Sequence, residues 1–220
     1  MAAETSWVVV VPVKELHTAK SRLVDRSGVA RADLALAMVG DVVSAAIDTP
    51  SVAAVLVVTN DLRAAASLEA LGARIVADVT DSGLNDALSG TARLARVMWP
   101  RSGICALSGD LPCADAATLA VALDRAAEHP RAVLPDRRGD GTTMLTAGAG
   151  CELAPRYGVA SRSDHLQTGA RQLDTDGLER LRLDVDTPAD LDAALLLGVG
   201  PRTTAAVMLT TGEMGTKSGR

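Results

Sequence analysis

Phenylalanine is absent from this chain, and its aromatic side chains amount to two tryptophans and one tyrosine among 220 residues. The core cannot rest on large rings, so alanine, valine and leucine must fill it with many small aliphatic contacts. A basic excess is lacking too. The formal net charge of −5 excludes the broad cationic footprint of a general nucleic-acid binder, while leaving room for a local basic pocket. There are three cysteines, Cys105, Cys113 and Cys151, without CxxC spacing. This argues against a disulfide framework or zinc site and for buried, reduced thiols in the cytosol. No apolar run reaches spanning length, and no basic segment precedes an apolar one at the N-terminus. The expected setting is therefore cytoplasmic, with no membrane partner. Neither G-x-x-x-x-G-K-[ST] nor G-x-G-x-x-G occurs, which removes both standard phosphate loops.

What is present reads as one α/β domain. Trp7 to Val13 is almost unbroken apolar sequence, the mark of a strand covered on both faces. A helix is expected from Ala30 to Ile47, stopped by Pro50, then a strand over Val52–Thr59, a helix to Leu71 with Gly72 after it, and a short strand at Arg74–Ala77. Further helices are expected over Asp86–Trp99 and Asp115–Glu128, and strands over Ala132–Pro135 and Thr143–Thr146. Strand and helix alternating at this pace imply a mostly parallel sheet with right-handed crossovers. Gly148–Thr168 reads as irregular. Leu181–Val185 reads as the last strand, followed by a helix with Thr187 as N-cap, Pro188 at the first position and Asp190 completing a capping box. That helix should break at Gly198–Pro201. The domain is expected to span residues 1–209, with a disordered tail over 210–220.

The candidate chemistry lies at strand ends. Ile104 to Leu107 is an apolar run that stops at Ser108-Gly109-Asp110-Leu111-Pro112, and ligands in open α/β sheets sit outside the carboxyl ends of strands. Asp184 and Asp186 are two apart, so in extended chain they point to one side and repel unless a cation compensates them. Carboxylates without clustered histidine or cysteine favour a hard divalent ion, Mg²⁺ or Mn²⁺. Lys14, Lys20 and Arg22 follow the first strand within one loop, as a triphosphate clamp or an ordinary solvated loop. Asn85 is either a base- or ribose-binding amide or a helix N-cap. Thr142 offers a hydroxyl beside two glycines, and Gly158 and Ser161 offer an amide and a hydroxyl for a carboxylate or phosphate. His165 could act as a base, although a lone histidine is ordinarily structural. Together these residues suit transfer of a phosphorus group from a nucleoside triphosphate to an acceptor that is already a nucleophile, with no general base.

Val11-Pro12-Val13-Lys14, Ala19-Lys20-Ser21-Arg22-Leu23, Gly83-Leu84-Asn85, Ser108 to Pro112, Gly141-Thr142 and Asp184-Val185-Asp186-Thr187-Pro188, taken in order, resemble the CofC/FbiD family of guanylyltransferases in coenzyme F-420 biosynthesis. The resemblance runs from about Val8 to Val207. It implies a single-domain, Rossmann-like nucleotidyltransferase fold (MobA-like, GT-A type), with a mostly parallel central sheet flanked by helices. The implied reaction joins GTP to phosphoenolpyruvate, releases pyrophosphate and gives enolpyruvoyl-2-diphospho-5'-guanosine. Alternatives are the same reaction on 2-phospho-L-lactate or 3-phosphoglycerate, or a non-catalytic GTP-binding protein. The resemblance further implies that Thr142, Gly158 and Ser161 hold the acceptor, that Asp110, Asp184 and Asp186 hold Mg²⁺ (or Mn²⁺), and that Lys14, Lys20 and Arg22 face the GTP phosphates. Asp110, Asp186 and Lys20 are then the expected catalytic residues. A contact with the downstream deazaflavin transferase is compatible with this reading, and oligomeric state is left open.

Overall fold

The computed structural model describes residues 5–16, 31–79 and 83–214. Its first strand, β1 (Trp7–Pro12), is buried over its first five residues. Trp7, Val9 and Val11 enter one apolar cluster and Val8 and Val10 another, as the two-residue period of a strand requires. Each valine so buried contributes roughly 1.5–3 kcal/mol. With both faces covered, the strand has no use for polar alternation, which is why this run is apolar throughout.

Beside β1 stand β2 (Val52–Val58) and β4 (Gly103–Leu107), both parallel to it, with β3 (Arg74–Val76) outside β2. On the other side follow β6 (Thr142–Ala147), β5 (Arg131–Pro135) and β7 (Arg171–Gln172), so the order is β3-β2-β1-β4-β6-β5-β7. Among the described residues only β6 runs antiparallel to its neighbours. Chain order reverses between β1 and β4, which leaves their carboxyl ends side by side around a crevice.

Helices α1 (Arg31–Ile47), α2 (Leu62–Glu69), α3 (Leu84–Met98) and α4 (Ala116–Ala127) cover the sheet, and their starts are chemically marked. Asp61 accepts from the amides of Arg63 and Ala64, and Asp115 from that of Thr118. α6 (Pro188–Leu197) begins with the expected Thr187–Asp190 capping box and Pro188 in its first turn. Cys105 and Cys113 are buried free thiols, and burial pushes Cys113 up to about 11; Cys151 is half-buried rather than buried. Among the described residues no helix is long and apolar enough to cross a membrane.

Three local expectations are corrected. α3 starts at Leu84 with Gly83 as its N-cap, so Asn85 lies inside the first turn and is not the cap. Gly83 has φ +97°, a left-handed conformation that glycine adopts without strain. Leu181–Val185 is no strand. A 3-10 turn at Glu179–Leu181 leads into an extended segment that passes the end of β4 and donates one backbone bond, from Val185 N to the Asp110 carbonyl at 3.0 Å. Gly148–Thr168 contains α5 (Ser161–Gln167), which buries only Ser161 and His165 and so shows no apolar period to read.

After the expected break, α7 (Pro201–Met214) packs along α1. Its first amides, at Arg202 and Thr203, donate to the two carboxylate oxygens of Asp41 at 3.0 and 2.9 Å. Asp41 sits on α1 and caps α7 from outside, a device that local sequence does not announce.

Candidate active site

The crevice at the reversal point is a cavity of about 340 Å³ lined by Pro12 and Lys14 after β1, by Ser108, Gly109 and Asp110 after β4, and by Asp186. Leu84 at the start of α3 and Leu16 also line it. Each wall has a local cause. Asp61, while capping α2, also accepts from the Leu16 amide at 2.9 Å and so holds the loop after β1. Gly109 lets that loop lie close, since a Cβ there would stand 3.1 Å from Val39 Cγ2 and 3.5 Å from the Pro12 carbonyl. Lys14 is exposed at the rim. Lys20 and Arg22 lie outside the described residues.

Asp110 and Asp186 both line the cavity, and the Asp110 carboxylate acts on Asp184. Although the segment carrying Asp184 and Asp186 joins no ladder, its alternation survives: Leu183 and Val185 are buried, and the two aspartates are only partly so. The Val185–Asp110 bond ties this segment to the end of β4. Burial, and then the Asp110 carboxylate, push Asp184 up to about 6, with Asp136 and Asp186 adding to the effect. Asp136, which ends β5 as Asp110 ends β4, was not singled out in the sequence, yet the same strand-end rule points to it. Its Oδ1 is occupied by the amides of Gly139 and Asp140 at 2.6 and 3.0 Å.

This donor set suits a hard divalent cation. Among the described residues no three Asp, Glu, His or Cys side chains form a group that could hold a metal between them. Mg²⁺ asks for no closed cage, because it takes one or two carboxylates and completes its shell with water and substrate phosphates. A partly buried carboxyl destabilised by its neighbours is the group that such an ion would relieve.

The three expected acceptor residues, Thr142, Gly158 and Ser161, do not line this cavity, and backbone bonds link the segments of two of them to its wall. Ser108 donates its amide to the Thr143 carbonyl at 2.8 Å, so the end of β4 lies against the start of β6 and Thr142 stands near Asp110. Arg162 N reaches the Asp140 carbonyl at 3.1 Å, drawing the start of α5, with Ser161, onto the same loop. Ser161 and Thr142 are buried, and Gly158 is exposed.

Asn85 has a different occupation from a nucleotide contact. Its side-chain Nδ2 donates to the Tyr157 carbonyl at 3.0 Å, and its Oδ1 accepts from the Tyr157 amide at 2.7 Å. The amide therefore clasps α3 to the loop that carries Gly158. His165, on α5, is fully buried between Thr142 Oγ1, 3.0 Å from Nδ1, and the amide of Arg156, 2.8 Å from Nε2. Burial, with Arg131 and Arg156, pushes its pKa down to about 4 against the opposing pull of Asp164. The ring is neutral at physiological pH and enclosed, which disfavours a role as general base.

Known proteins carry parts of this picture. The sequence profile of the family described as "Guanylyl transferase CofC like" matches residues 7–209. The phosphoenolpyruvate guanylyltransferase of Thermomonospora curvata is 49% identical over 203 residues, covering 92% of this chain and 89% of that protein. Among solved structures, a 4-diphosphocytidyl-2C-methyl-D-erythritol synthase superposes with TM-score 0.59 at 16% identity, over 88% of this chain and 99% of that one. Rv0371c of Mycobacterium tuberculosis, solved in complex with manganese, superposes with TM-score 0.51 at 25% identity, over 88% and 98% of the two chains.

Proposed function

Because this chain belongs to the CofC-like guanylyl transferase family, we propose that it transfers the guanylyl group of GTP to phosphoenolpyruvate, forming enolpyruvoyl-2-diphospho-5'-guanosine and releasing pyrophosphate. The observation that carries this reading is the 49% identity, over nearly the whole of both chains, to a protein named for that reaction. The crevice supports it. Its lining offers Lys14, Asp110 and Asp186, and the bond from Ser108 to Thr143 joins the end of β4 to the start of β6, which carries Thr142.

In this reading a phosphate oxygen of phosphoenolpyruvate attacks the α-phosphorus of GTP as the bond to the bridging oxygen of pyrophosphate breaks. The attacking phosphate is anionic at neutral pH and needs no base, in keeping with a buried, neutral His165. Thr142, Gly158 and Ser161 hold the acid in line, and Lys14, with Lys20 and Arg22 further along the same sequence stretch, balances charge on the departing pyrophosphate. Asp110 and Asp186, which line the cavity, would hold a divalent cation, Mg²⁺ or Mn²⁺, with Asp184 in support, and the ion would supply positive charge to the phosphate oxygens. The manganese in the structure of Rv0371c supports the use of a divalent ion.

The test is pyrophosphate release from GTP with Mg²⁺, comparing phosphoenolpyruvate, 2-phospho-L-lactate and 3-phosphoglycerate. Release should require phosphoenolpyruvate and stop with chelator. Preference for another acid would correct the acceptor. No release with any of the three would overturn the reading.

A further inference from the structure

Thr142 differs from the other buried threonines of its strand. Thr143 and Thr146 donate their hydroxyl hydrogens to the carbonyls of Leu134 and Ala132 across the ladder. Thr142 Oγ1 instead faces a histidine nitrogen, Nδ1 of His165, at 3.0 Å. Which of the two donates is decided on the far side of the ring. There, the backbone amide of Arg156 points at Nε2 at 2.8 Å, and an amide can only donate. Nε2 is therefore the bare nitrogen and Nδ1 carries the proton. Nδ1–H donates to Thr142 Oγ1, which leaves the threonine hydrogen free to point away from the ring.

The surroundings hold this tautomer in place. His165 is fully buried, with the Tyr157 ring edge-on at 5.1 Å between centroids. Burial opposes a second proton on the ring, and Arg131 and Arg156 oppose it further. The Arg156 amide that sets the tautomer belongs to the loop leading to Gly158, and Asn85 clasps the next residue of that loop through both of its backbone groups.

We propose that His165 is a positioning residue for the acceptor: as the Nδ1–H tautomer it turns the Thr142 hydroxyl into an oriented donor toward an anionic oxygen of the phospho-acid, and through Arg156 it ties that orientation to the Gly158 loop. The proposal rests on the assignment of Thr142 to the acceptor made above. His165 itself touches no substrate in this scheme. Its effect is to keep a rotatable hydroxyl from pointing the wrong way, and removing it lowers the fraction of protein ready to bind the acid.

The test is steady-state kinetics of the full chain with GTP, Mg²⁺ and phosphoenolpyruvate, for wild type, His165→Asn, His165→Gln, Thr142→Val and the double variant Thr142→Val with His165→Gln. Asparagine places an amide donor near the Nδ1 position, whereas glutamine places its amide near Nε2. His165→Asn should therefore keep the acceptor KM within about threefold of wild type, and His165→Gln should raise it about tenfold or more, as loss of one hydrogen bond to a charged group predicts. The KM for GTP should move less than about twofold in either variant, since that site keeps its own contacts. The double variant should be no worse than Thr142→Val alone, the non-additivity of a shared hydrogen bond. Equal acceptor KM values for the two His165 variants, additive losses in the double variant, or parallel rises in both KM values would each overturn the proposal. Thr142→Val leaves the backbone ladder of β6 intact and keeps the test decisive if a His165 variant folds poorly. A wild-type chain inactive with all three acids removes the acceptor assignment and this proposal with it. An active wild type with an unmoved acceptor KM in His165→Gln removes the proposal alone.

Discussion

Replacing His165 by asparagine should change how stability depends on pH, and the size of the change follows from the ring's surroundings. In the folded chain the imidazole lies between Thr142 and the Arg156 amide, where burial, and then Arg131 on β5 and Arg156, disfavour its cation while Asp164 favours it. Its pKa falls from the ordinary 6.5 to about 4. Unfolded, the same ring takes a proton below 6.5, while the folded ring takes none until the pH approaches 4. The contribution is thus fully present above pH 6.5 and is lost as the pH falls through that window, at about 1.4 kcal/mol per pH unit. Urea denaturation of wild type and His165→Asn across this range is the assay. At pH 8 the variant should be less stable, by roughly 1–3 kcal/mol for the bond lost to the Arg156 amide. By pH 5 the gap should shrink by ~2 kcal/mol, because only wild type pays for keeping the ring neutral. Taking the difference between the two proteins cancels the carboxylates, including Asp184, whose raised pKa acts with the opposite sign. A gap that stays constant from pH 8 to pH 5 would show that the ring titrates normally, and the tautomer reasoning would fail with it.

Other residues yield further expectations. Asp110→Asn or Asp186→Asn should lower pyrophosphate release by about a hundredfold or more with an unchanged circular dichroism spectrum, since preorganised charge at the reacting phosphates is typically worth that much; wild-type-like rates in either would sink the metal assignment. Asn85→Ala, which loses both bonds to the Tyr157 backbone, should raise the acceptor KM and destabilise by about 1–3 kcal/mol. Loss of GTP affinity alone in that variant would return Asn85 to the nucleotide. Asp41→Ala leaves the first amides of α7 without their acceptor and should cost about 1–2 kcal/mol in chemical denaturation; an unchanged midpoint would mean that water replaces the cap.

Much of this molecule is visible in its sequence because it depends on neighbours a few residues apart. The unbroken apolar run of β1, the arrest of the next buried strand at Asp110 and the Thr187–Asp190 capping box are local patterns, and each appears in the structure. The alternation of Asp184 and Asp186 with Leu183 and Val185 is local too, and it persists although the expected strand does not form. A strand needs a partner edge, and this segment makes two isolated backbone bonds to other segments, from Val185 N to the Asp110 carbonyl and from Arg137 N to the Arg182 carbonyl, rather than a ladder.

What tertiary structure alone decides is which distant groups meet, because that depends on strand order, which no short window encodes. Placing β4 beside β1, and β6 beside β4, brings Lys14, Asp110 and Thr142 to one edge. Asn85 reads equally as a cap or a ligand until Tyr157, 72 residues on, occupies both ends of its amide. Asp41 reads as an ordinary polar residue of a helix until α7 arrives, about 160 residues later, with its first amides unpaired. His165 was a lone histidine in the sequence. Folding gives it a tautomer, because only there do a backbone donor on one side and a hydroxyl on the other fix where its proton must lie.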